Sequence, residues 1–154
     1  MQNNNIKIIA TNKKARFEYS IEETLEAGIQ LVGTEVKSLR EGRCNIAEGY
    51  ISEKNGELFL RNVNITEYKH GNINNHDPMR IRKLLLHKAE IIKINRQVKE
   101  KGITVIPLKF YFKGSNVKVE IGICKGKKLY DKRETMKERD SKKAIEREMK
   151  KNYR

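Results

Sequence analysis

The uneven distribution of apolar residues along the chain constrains its fold most strongly. Residues 125–154 contain 13 Lys/Arg and 6 Asp/Glu but only 7 hydrophobic residues. The preceding 124 residues carry the other 50 hydrophobic residues, which suffice for one core of ordinary size. A segment as polar as 125–154 cannot bury enough apolar surface to offset its loss of chain entropy. We therefore predict one packed domain over 1–124 and a basic tail over 125–154 that is disordered in the free protein.

Alternation and turn signals predict a mainly β structure for the packed domain. Phe17, Tyr19 and Ile21 alternate with polar residues, which is the period of a half-buried strand. Gly28 within a strand pattern suggests a bulge, and Asn55-Gly56 predicts a hairpin turn. Further strands are predicted at 6–9, 29–32, 50–51, 58–60, 63–65, 103–112 and 117–123, with an edge or a bulge at Pro107.

Helical signals occur between these strands. Residues 34–42 have the pattern of a short helix that begins with a Thr cap and ends at a Gly. Asp77-Pro78 is typical of a helix entry, and apolar residues follow it at helical spacing. Such strands and helices in a basic chain of this size suggest a small closed antiparallel barrel of OB type, with about three helices. The apolar residues that support the two later helices are Ile81, Leu84, Leu85, Ile91, Ile94 and Val98.

The net charge indicates the class of partner. Lys+Arg is 34 against Asp+Glu 20, a formal net charge of +14, which favours a polyanion such as nucleic acid or an anionic membrane. No apolar run approaches the roughly 18 residues that span a bilayer and Trp is absent, so nucleic acid is favoured over a membrane. The first residues lack a signal-peptide pattern, and Cys44 and Cys124 lie too far apart for a metal-ligand motif. We expect reduced thiols, a cytoplasmic location, and no metal or cofactor.

Clustered cations are the candidate RNA-binding residues. Contacts from such cations to phosphate supply affinity and salt dependence but no sequence specificity. Stacking on exposed rings would add recognition of RNA, with His76, Tyr130 and Tyr153 as candidates. The clusters are Lys13, Lys14 and Arg16 before the first long strand, Lys37 and Arg40 on one face of the short helix followed by Arg43, and Arg80, Arg82 and Lys83 on the later helix.

Catalytic chemistry has one candidate in the chain. His76 and Asp77 have the residue types of a general base with an orienting carboxylate, although a polar loop with a helix cap explains them more simply. The glycines and lysines at 122–128 lack the spacing and the hydroxyl of a nucleotide-binding loop. We therefore predict a binding protein and no enzyme. An RNA-processing enzyme that uses His76 and Asp77, or another OB-type translation factor, stays open as an alternative.

Four segments resemble the bacterial SsrA-binding proteins, also called small protein B. The resemblance runs from about Asn12 to the end of the chain, with the motifs in order and at the family's spacing. It implies an OB-like barrel that binds the tRNA-like domain of transfer-messenger RNA and brings it to stalled ribosomes for trans-translation, without catalysis and as a monomer. The four segments are 26–42, 75–86, 118–121 and 125–133.

The resemblance also implies roles for individual residues. Glu35 would either bond an RNA base or 2′-hydroxyl or orient a neighbouring Arg. The alternative to these two functional roles is a solvated carboxylate that stabilises the start of its helix through the helix dipole. The C-terminal tail would enter the decoding centre and the empty mRNA path of the ribosome and become helical there. Its contacts in the decoding centre would be Tyr130, Asp131, Lys132 and Arg133, and those in the mRNA path Lys137, Arg139, Ile145, Arg147, Met149 and Lys150. The complete expected RNA-binding set is Asn12, Lys13, Lys14, Arg16, Glu35, Lys37, Arg40, Arg43, Asn75, His76, Arg80, Arg82, Lys83, Lys125, Lys127 and Lys128.

Overall fold

A computed structural model describes residues 5–70, 75–100 and 102–126. The expectations for the tail from residue 127 onward therefore lie outside the described residues. In chain order the elements are β1 (Ile6–Thr11), α1 (Lys13–Glu18), β2 (Tyr19–Ile29), α2 (Gly33–Arg40), β3 (Cys44–Asn45), β4 (Tyr50–Lys54), β5 (Glu57–Arg61), β6 (Asn64–Ile65), β7 (Arg82–Leu85), α3 (Lys88–Val98), β8 (Ile103–Lys113) and β9 (Asn116–Gly126).

Seven strands form one sheet in the order β1-β8-β9-β2-β7-β5-β4, and β3 pairs with β6 in a second, two-stranded sheet. Every described pairing is antiparallel. The prediction of a mainly antiparallel β structure with three helices is therefore confirmed. The hydrogen-bonded order ends at β1 and β4, which are not paired with each other in the described part of the chain. Closure into a barrel thus stays a prediction.

Two local signals behave as predicted and one does not. Asn55 and Gly56 have φ of 55° and 79° and join β4 to β5 in a two-residue turn. The register of β8 against β9 shifts just after Pro107, where an edge or a bulge was predicted. The bulge predicted at Gly28 is wrong, because the register shift in β2 lies between Ile21 and Glu23. Gly28 instead allows close strand contact, since a Cβ there would lie 3.2 Å from Leu85 Cβ.

The helix predicted after Asp77-Pro78 is also wrong. Residues 82–85 form strand β7, in which Arg82 and Leu84 are buried and alternate with more exposed neighbours. Its backbone pairs with β5 on one side and β2 on the other. Three apolar residues over so short a stretch fit both the helical and the strand period. Backbone pairing with β5 and β2 stabilises the strand instead of a helix. The carboxylate of Asp77 accepts from the Met79 N–H at 2.9 Å and forms a turn.

At the other helices, α1 was not predicted, and α2 begins earlier than predicted. Phe17 lies in α1 and not in a strand, because the Asn12 side chain accepts from the Ala15 N–H at 3.2 Å and caps a short helix. The α2 helix begins after Val32, not after Thr34, and Gly42 follows its end with φ of 72°. The α3 helix contains the predicted apolar residues 91, 94 and 98.

One main core lies between the curled sheet and the helices α2 and α3. Leu39 of α2 and Ile94 of α3 are each 1% exposed or less and pack into it beside Phe110 of β8. The loop before β4 approaches the core closely at Gly49, which is buried. A Cβ at this position would lie 2.6 Å from Val63 Cγ2 and 2.8 Å from Pro107 Cγ. Glycine is therefore required for β4 to lie against β8 as it does.

The Gly49→Ala substitution should lower the free energy of unfolding by about 1–3 kcal/mol, because the added methyl overpacks this contact. Urea denaturation monitored by circular dichroism measures the change. Gly33→Ala is the matched control, since a Cβ at that helical position meets no heavy atom within 4 Å. Equal stability of the two variants would show that the loop gives way without cost.

Candidate nucleic-acid interface

A buried carboxylate organises the region where α2, β7 and the loop before β7 meet. Glu35 in the first turn of α2 is fully buried. Its Oε1 accepts from the Val32 N–H at 2.9 Å and from Arg80 Nη2 at 2.5 Å, and its Oε2 accepts from Arg82 Nε at 2.5 Å. One carboxylate thus bonds the start of its own helix and two arginines 45 and 47 positions further along the chain.

Arg82 is the partner that carries these connections into the core. Its side chain is fully buried, and its two terminal nitrogens donate to the Val63 carbonyl at 2.7 Å and the Pro78 carbonyl at 3.0 Å. A buried guanidinium needs such a complete set of partners, because an unpaired charge in a protein interior is costly. Arg82 therefore joins the start of α2, the segment before β6 and the loop before β7.

The pKa of Glu35 is set by two opposing effects. Burial raises it, and hydrogen bonds from Arg80, the Val32 N–H and Arg82 outweigh burial, so that the pKa lies below its ordinary value. Burial lowers the pKa of Arg82, although the bond to Glu35 opposes this. Because the carboxyl pKa is lowered, its contribution to stability is present above the ordinary carboxyl pKa and is lost as the pH falls through the lowered value.

Glu35 and Arg82 were expected to face RNA, and their burial corrects this expectation. Neither side chain has exposed area, so neither reaches a phosphate or a base from this position. Of the two roles considered for Glu35, orientation of a neighbouring Arg agrees with the geometry. That neighbour is Arg80, whose side chain is 34% exposed and also donates to the Gln30 carbonyl at 3.2 Å.

His76 is likewise part of the support and not of the surface. It is 6% exposed. Its Nε2 lies 2.7 Å from the Ile65 carbonyl and its Nδ1 lies 2.8 Å from the Thr34 hydroxyl. Since a carbonyl only accepts, Nε2 carries a hydrogen, and in the neutral ring Nδ1 accepts from Thr34. The predicted stacking of His76 on RNA does not fit this burial, and Asp77 is bonded to the Met79 N–H, not to His76.

Asn75 and Tyr68 hold the two sides of the loop together. The Asn75 side chain donates to the Tyr68 carbonyl at 2.7 Å and accepts from the Tyr68 N–H at 3.1 Å. The Tyr68 ring lies beneath Lys37, whose Nζ is 5.4 Å from the ring centroid. Sequence reasoning missed Tyr68, because its position next to a polar loop follows no strand or helix period.

These residues surround an open depression that we call the α2 cleft. Its exposed cation is Lys37, and Arg80 adds a partly exposed guanidinium. The walls supply hydroxyl, amide and main-chain groups, and the exposed Asp77 adds one carboxylate. Two cations beside neutral hydrogen-bonding groups suit contacts to the phosphates and sugars of a nucleic acid. The cleft is lined by Val32, Gly33, Thr34, Lys37, Asn75, His76, Asp77 and Arg80.

A second group of cations lies at the other end of β2. Strand β2 pairs its first residue, Tyr19, with Gly126, while α2 begins just after its last residue. Ten steps of about 3.3 Å separate the two ends by roughly 33 Å of strand. The exposed residues at this first end are Lys13, Lys14, Arg16 and Lys125, whereas Lys127, Lys128 and the residues expected in the decoding centre and the mRNA path lie outside the described part of the chain.

The remaining predicted residues do not join either group. Asn12 is 5% exposed and donates to the Pro107 carbonyl at 3.0 Å, so it supports α1 and does not face RNA. Arg40 lines a separate depression beside Lys7 and Gly114, although its helical spacing from Lys37 suggested a shared site. Arg43 is exposed and pairs with Glu41 at 3.4 Å, and Lys83 pairs with Glu57 at 2.8 Å.

The cysteines have the character of packing residues. Burial raises the pKa of the Cys44 and Cys124 thiols to about 11, which disfavours the reactive thiolate. The described residues contain no group of His, Cys, Asp and Glu that could hold a metal ion. Among the helices within those residues, none is long and apolar enough to cross a membrane.

Known proteins match nearly the whole chain. A family model described as SmpB protein matches residues 9–151. The chain is 55% identical over 149 residues to an SsrA-binding protein of Alkaliphilus oremlandii, which covers 97% of this chain and 96% of that protein. It is 52% identical over 148 residues to an SsrA-binding protein of Acetivibrio thermocellus, with 96% of each covered. The fold is similar to a chain of the solved structure "tmRNA-SmpB: a journey to the center of the bacterial ribosome", with a TM-score of 0.66 and 46% identity over 78% of this chain and 85% of that chain.

The Glu35→Gln substitution should lower the free energy of unfolding by about 3–5 kcal/mol, because it leaves the buried charge of Arg82 without its counter-ion. Urea denaturation at neutral pH measures the loss. Glu57→Gln is the matched control, since it removes the same charge from the exposed pair with Lys83 and should change stability by less than about 1 kcal/mol. A small loss in both variants would contradict a structural role for the buried pair.

Proposed function

The chain belongs to the SmpB protein family, and from this premise we propose that it binds transfer-messenger RNA and delivers it to stalled ribosomes for trans-translation. The proposal is carried by the sequence identity to proteins named for binding SsrA RNA, which exceeds one half over nearly the full length. The +14 net charge agrees with an RNA partner. These partners in turn support a cytoplasmic location.

We propose that the α2 cleft contacts the tRNA-like domain of this RNA. Lys37 and Arg80 are the direct contacts, and the exposed groups around them bond sugars and phosphates. Glu35, Arg82 and the pair of His76 with Asn75 act as positioning residues behind this surface. The bonds from Glu35 to Arg80 and from Asn75 to the Tyr68 backbone support this division, because they fix the two sides of the cleft relative to each other.

In this proposal, the second group of cations serves the end of the domain from which the tail extends and not the contact with the tRNA-like domain. Lys13, Lys14, Arg16 and Lys125 lie at the end of the sheet where the first residue of β2 pairs with Gly126 of β9. Lys14 already pairs with Glu48 at 2.6 Å, but an exposed pair of this kind is weak enough to exchange for a phosphate. The tail, with Tyr130 at the decoding centre and residues 137–150 in the mRNA path, would extend from this end. Its distance from the α2 cleft along β2 supports separate roles for domain and tail.

Catalysis has no part in the proposed function. His76 uses both ring nitrogens in bonds to Thr34 and Ile65, and its neighbour Asp77 bonds the backbone of Met79. This arrangement favours binding over the RNA-processing alternative. We also propose that the curled sheet closes into an OB-like barrel. The packing of β4 against β8 supports this, because β4 is the last strand of the hydrogen-bonded order and β8 is the second.

The Lys37→Ala substitution should weaken binding of transfer-messenger RNA and reduce the slope of log affinity against log salt by about 1, because one phosphate contact is lost. Filter binding over a range of KCl concentrations gives both quantities. Lys109→Ala is the matched control, since it removes a lysine from the outer face of β8, where Lys109 lies 3.9 Å from Glu120. An unchanged slope for Lys37→Ala would remove this side chain from the interface.

Truncation after Arg133 should leave folding and transfer-messenger-RNA affinity nearly unchanged and abolish peptide tagging on stalled ribosomes. The reason is that the core and the α2 cleft are formed by residues that precede the tail, while in this proposal the tail supplies the contacts inside the ribosome. Tyr130→Ala, which keeps the tail, should reduce tagging through loss of a stacked ring worth roughly 1–3 kcal/mol. Tagging in a purified translation system, alongside RNA affinity, measures both. Full tagging by the truncated protein would make the tail dispensable, and loss of RNA binding would refute the separation.

A further inference from the structure

The outer face of β4, β5 and β7 carries an aromatic residue where a solvent-facing strand residue is usually polar. Leu58 and Leu60 of β5 point into the core and are at most 2% exposed. Phe59 between them therefore points outward, and it is only partly buried. It is absent from the residues that pack against either core cluster. Core packing thus does not account for a phenylalanine at the middle of this sheet.

The strand register surrounds Phe59 with rings and cations. Phe59 pairs across the sheet with Ser52 on β4 and with Lys83 on β7. Two residues further along β5, Arg61 pairs with Tyr50, whose side chain is 43% exposed. Because residues two apart on a strand share a face, these side chains lie on one surface. We call the set Tyr50, Phe59, Arg61 and Lys83 the sheet platform.

The cations of the sheet platform are available to a ligand. Among the described residues, Arg61 donates from Nε to the Ser52 hydroxyl at 2.6 Å, which leaves its terminal nitrogens for other acceptors. Lys83 pairs with Glu57 at 2.8 Å, with both side chains more than a third exposed. A surface pair of this kind contributes little and exchanges easily for a phosphate. The outward positions of these three strands carry one carboxylate, Glu57, and three cations, Lys54, Arg61 and Lys83.

We propose that the sheet platform is a second RNA-binding site, which takes unpaired bases of single-stranded RNA. The rings of Phe59 and Tyr50 stack on base faces, and Arg61 and Lys83 contact the adjacent phosphates. Base faces are accessible in single strands and hidden in a duplex. The site therefore differs from the α2 cleft, whose exposed groups suit phosphates and sugars. The proposal rests on the proposed function only in taking RNA as the partner.

A tryptophan reporter tests the platform directly, because the chain contains no Trp. The Phe59→Trp variant keeps an aromatic ring and should lose fluorescence when a short single-stranded oligouridylate is added. A duplex of equal length at the same salt concentration should give little quenching. Thr24→Trp, on an exposed position of β2, is the matched control and should respond to neither. Equal quenching by single strand and duplex, or none, would overturn the proposal.

Affinity measurements test whether binding needs the aromatic ring of Phe59 or only an apolar side chain at that position. Phe59→Leu keeps a strand-compatible apolar side chain and should bind oligouridylate about five- to hundredfold more weakly, as expected for loss of one stacked base. Lys109→Ala, which changes a lysine that belongs to neither proposed site, should bind oligouridylate normally. Unchanged oligouridylate affinity in Phe59→Leu would contradict the proposal.

Two further readouts distinguish the alternatives. Quenching of Phe59→Trp by an acidic peptide as strongly as by oligouridylate would overturn the proposal in favour of a protein partner. If the unmodified protein fails to bind transfer-messenger RNA while oligouridylate still quenches Phe59→Trp, the proposed function fails and the sheet platform stands. The reverse result, with transfer-messenger RNA bound and no quenching, refutes the platform alone.

Discussion

The ion pair between Glu35 and Arg82 is the interaction on which the α2 region depends. Both side chains are fully buried, so each has lost its hydrogen bonds to water and needs protein partners to replace them. Glu35 does so through three donors, and Arg82 through Glu35 and two carbonyls. Removing Glu35 would leave the Arg82 charge buried without its counter-ion, whereas removing Arg82 would leave Glu35 paired with Arg80 alone. The start of α2, strand β7 and the loop before β7 are therefore held in one arrangement.

In the proposed function, this arrangement lets the α2 cleft bind RNA although several of the residues that form it do not touch RNA. Arg80 is partly exposed and bonded to the buried Glu35, which fixes a cation at the edge of the α2 cleft. His76 and Asn75 fix the opposite side through Thr34 and the Tyr68 backbone. A preorganised cation loses less side-chain entropy when it meets a phosphate than a free one does. Under the proposed function, the positioning residues would therefore contribute to affinity through the residues that they hold.

Local signals predicted those elements whose information is local. Asn55-Gly56 specifies its hairpin because both positions have positive φ, and Gly42 follows the end of α2 for the same reason. The helix prediction around Leu84 was wrong, because its few apolar residues fit both the helical and the strand period. Only the pairing with β2 and β5 distinguishes the two periods. Of the residues predicted for the site, Lys37, Asn75, His76 and Arg80 line the α2 cleft. Arg40 lines a separate depression, and Glu35 and Arg82 are buried behind the cleft. The two residues of this buried ion pair lie 47 positions apart, and no local pattern states which charged residues are buried.

By itself, the sequence determined that this protein is rich in β structure, that its C-terminal segment is highly charged and basic, and that its partner is a polyanion, and its motifs indicated the family. These properties follow from composition, periodicity and turn chemistry, which act over a few residues. Only the tertiary structure decided that Glu35 and Arg82 lie inside and Lys37 outside, and that the cations divide between the two ends of β2. The reason is that burial of a charged side chain depends on partners that strand pairing brings together from distant parts of the chain. The outward position of Phe59 belongs to the same class, since it depends on which face of the sheet the core covers.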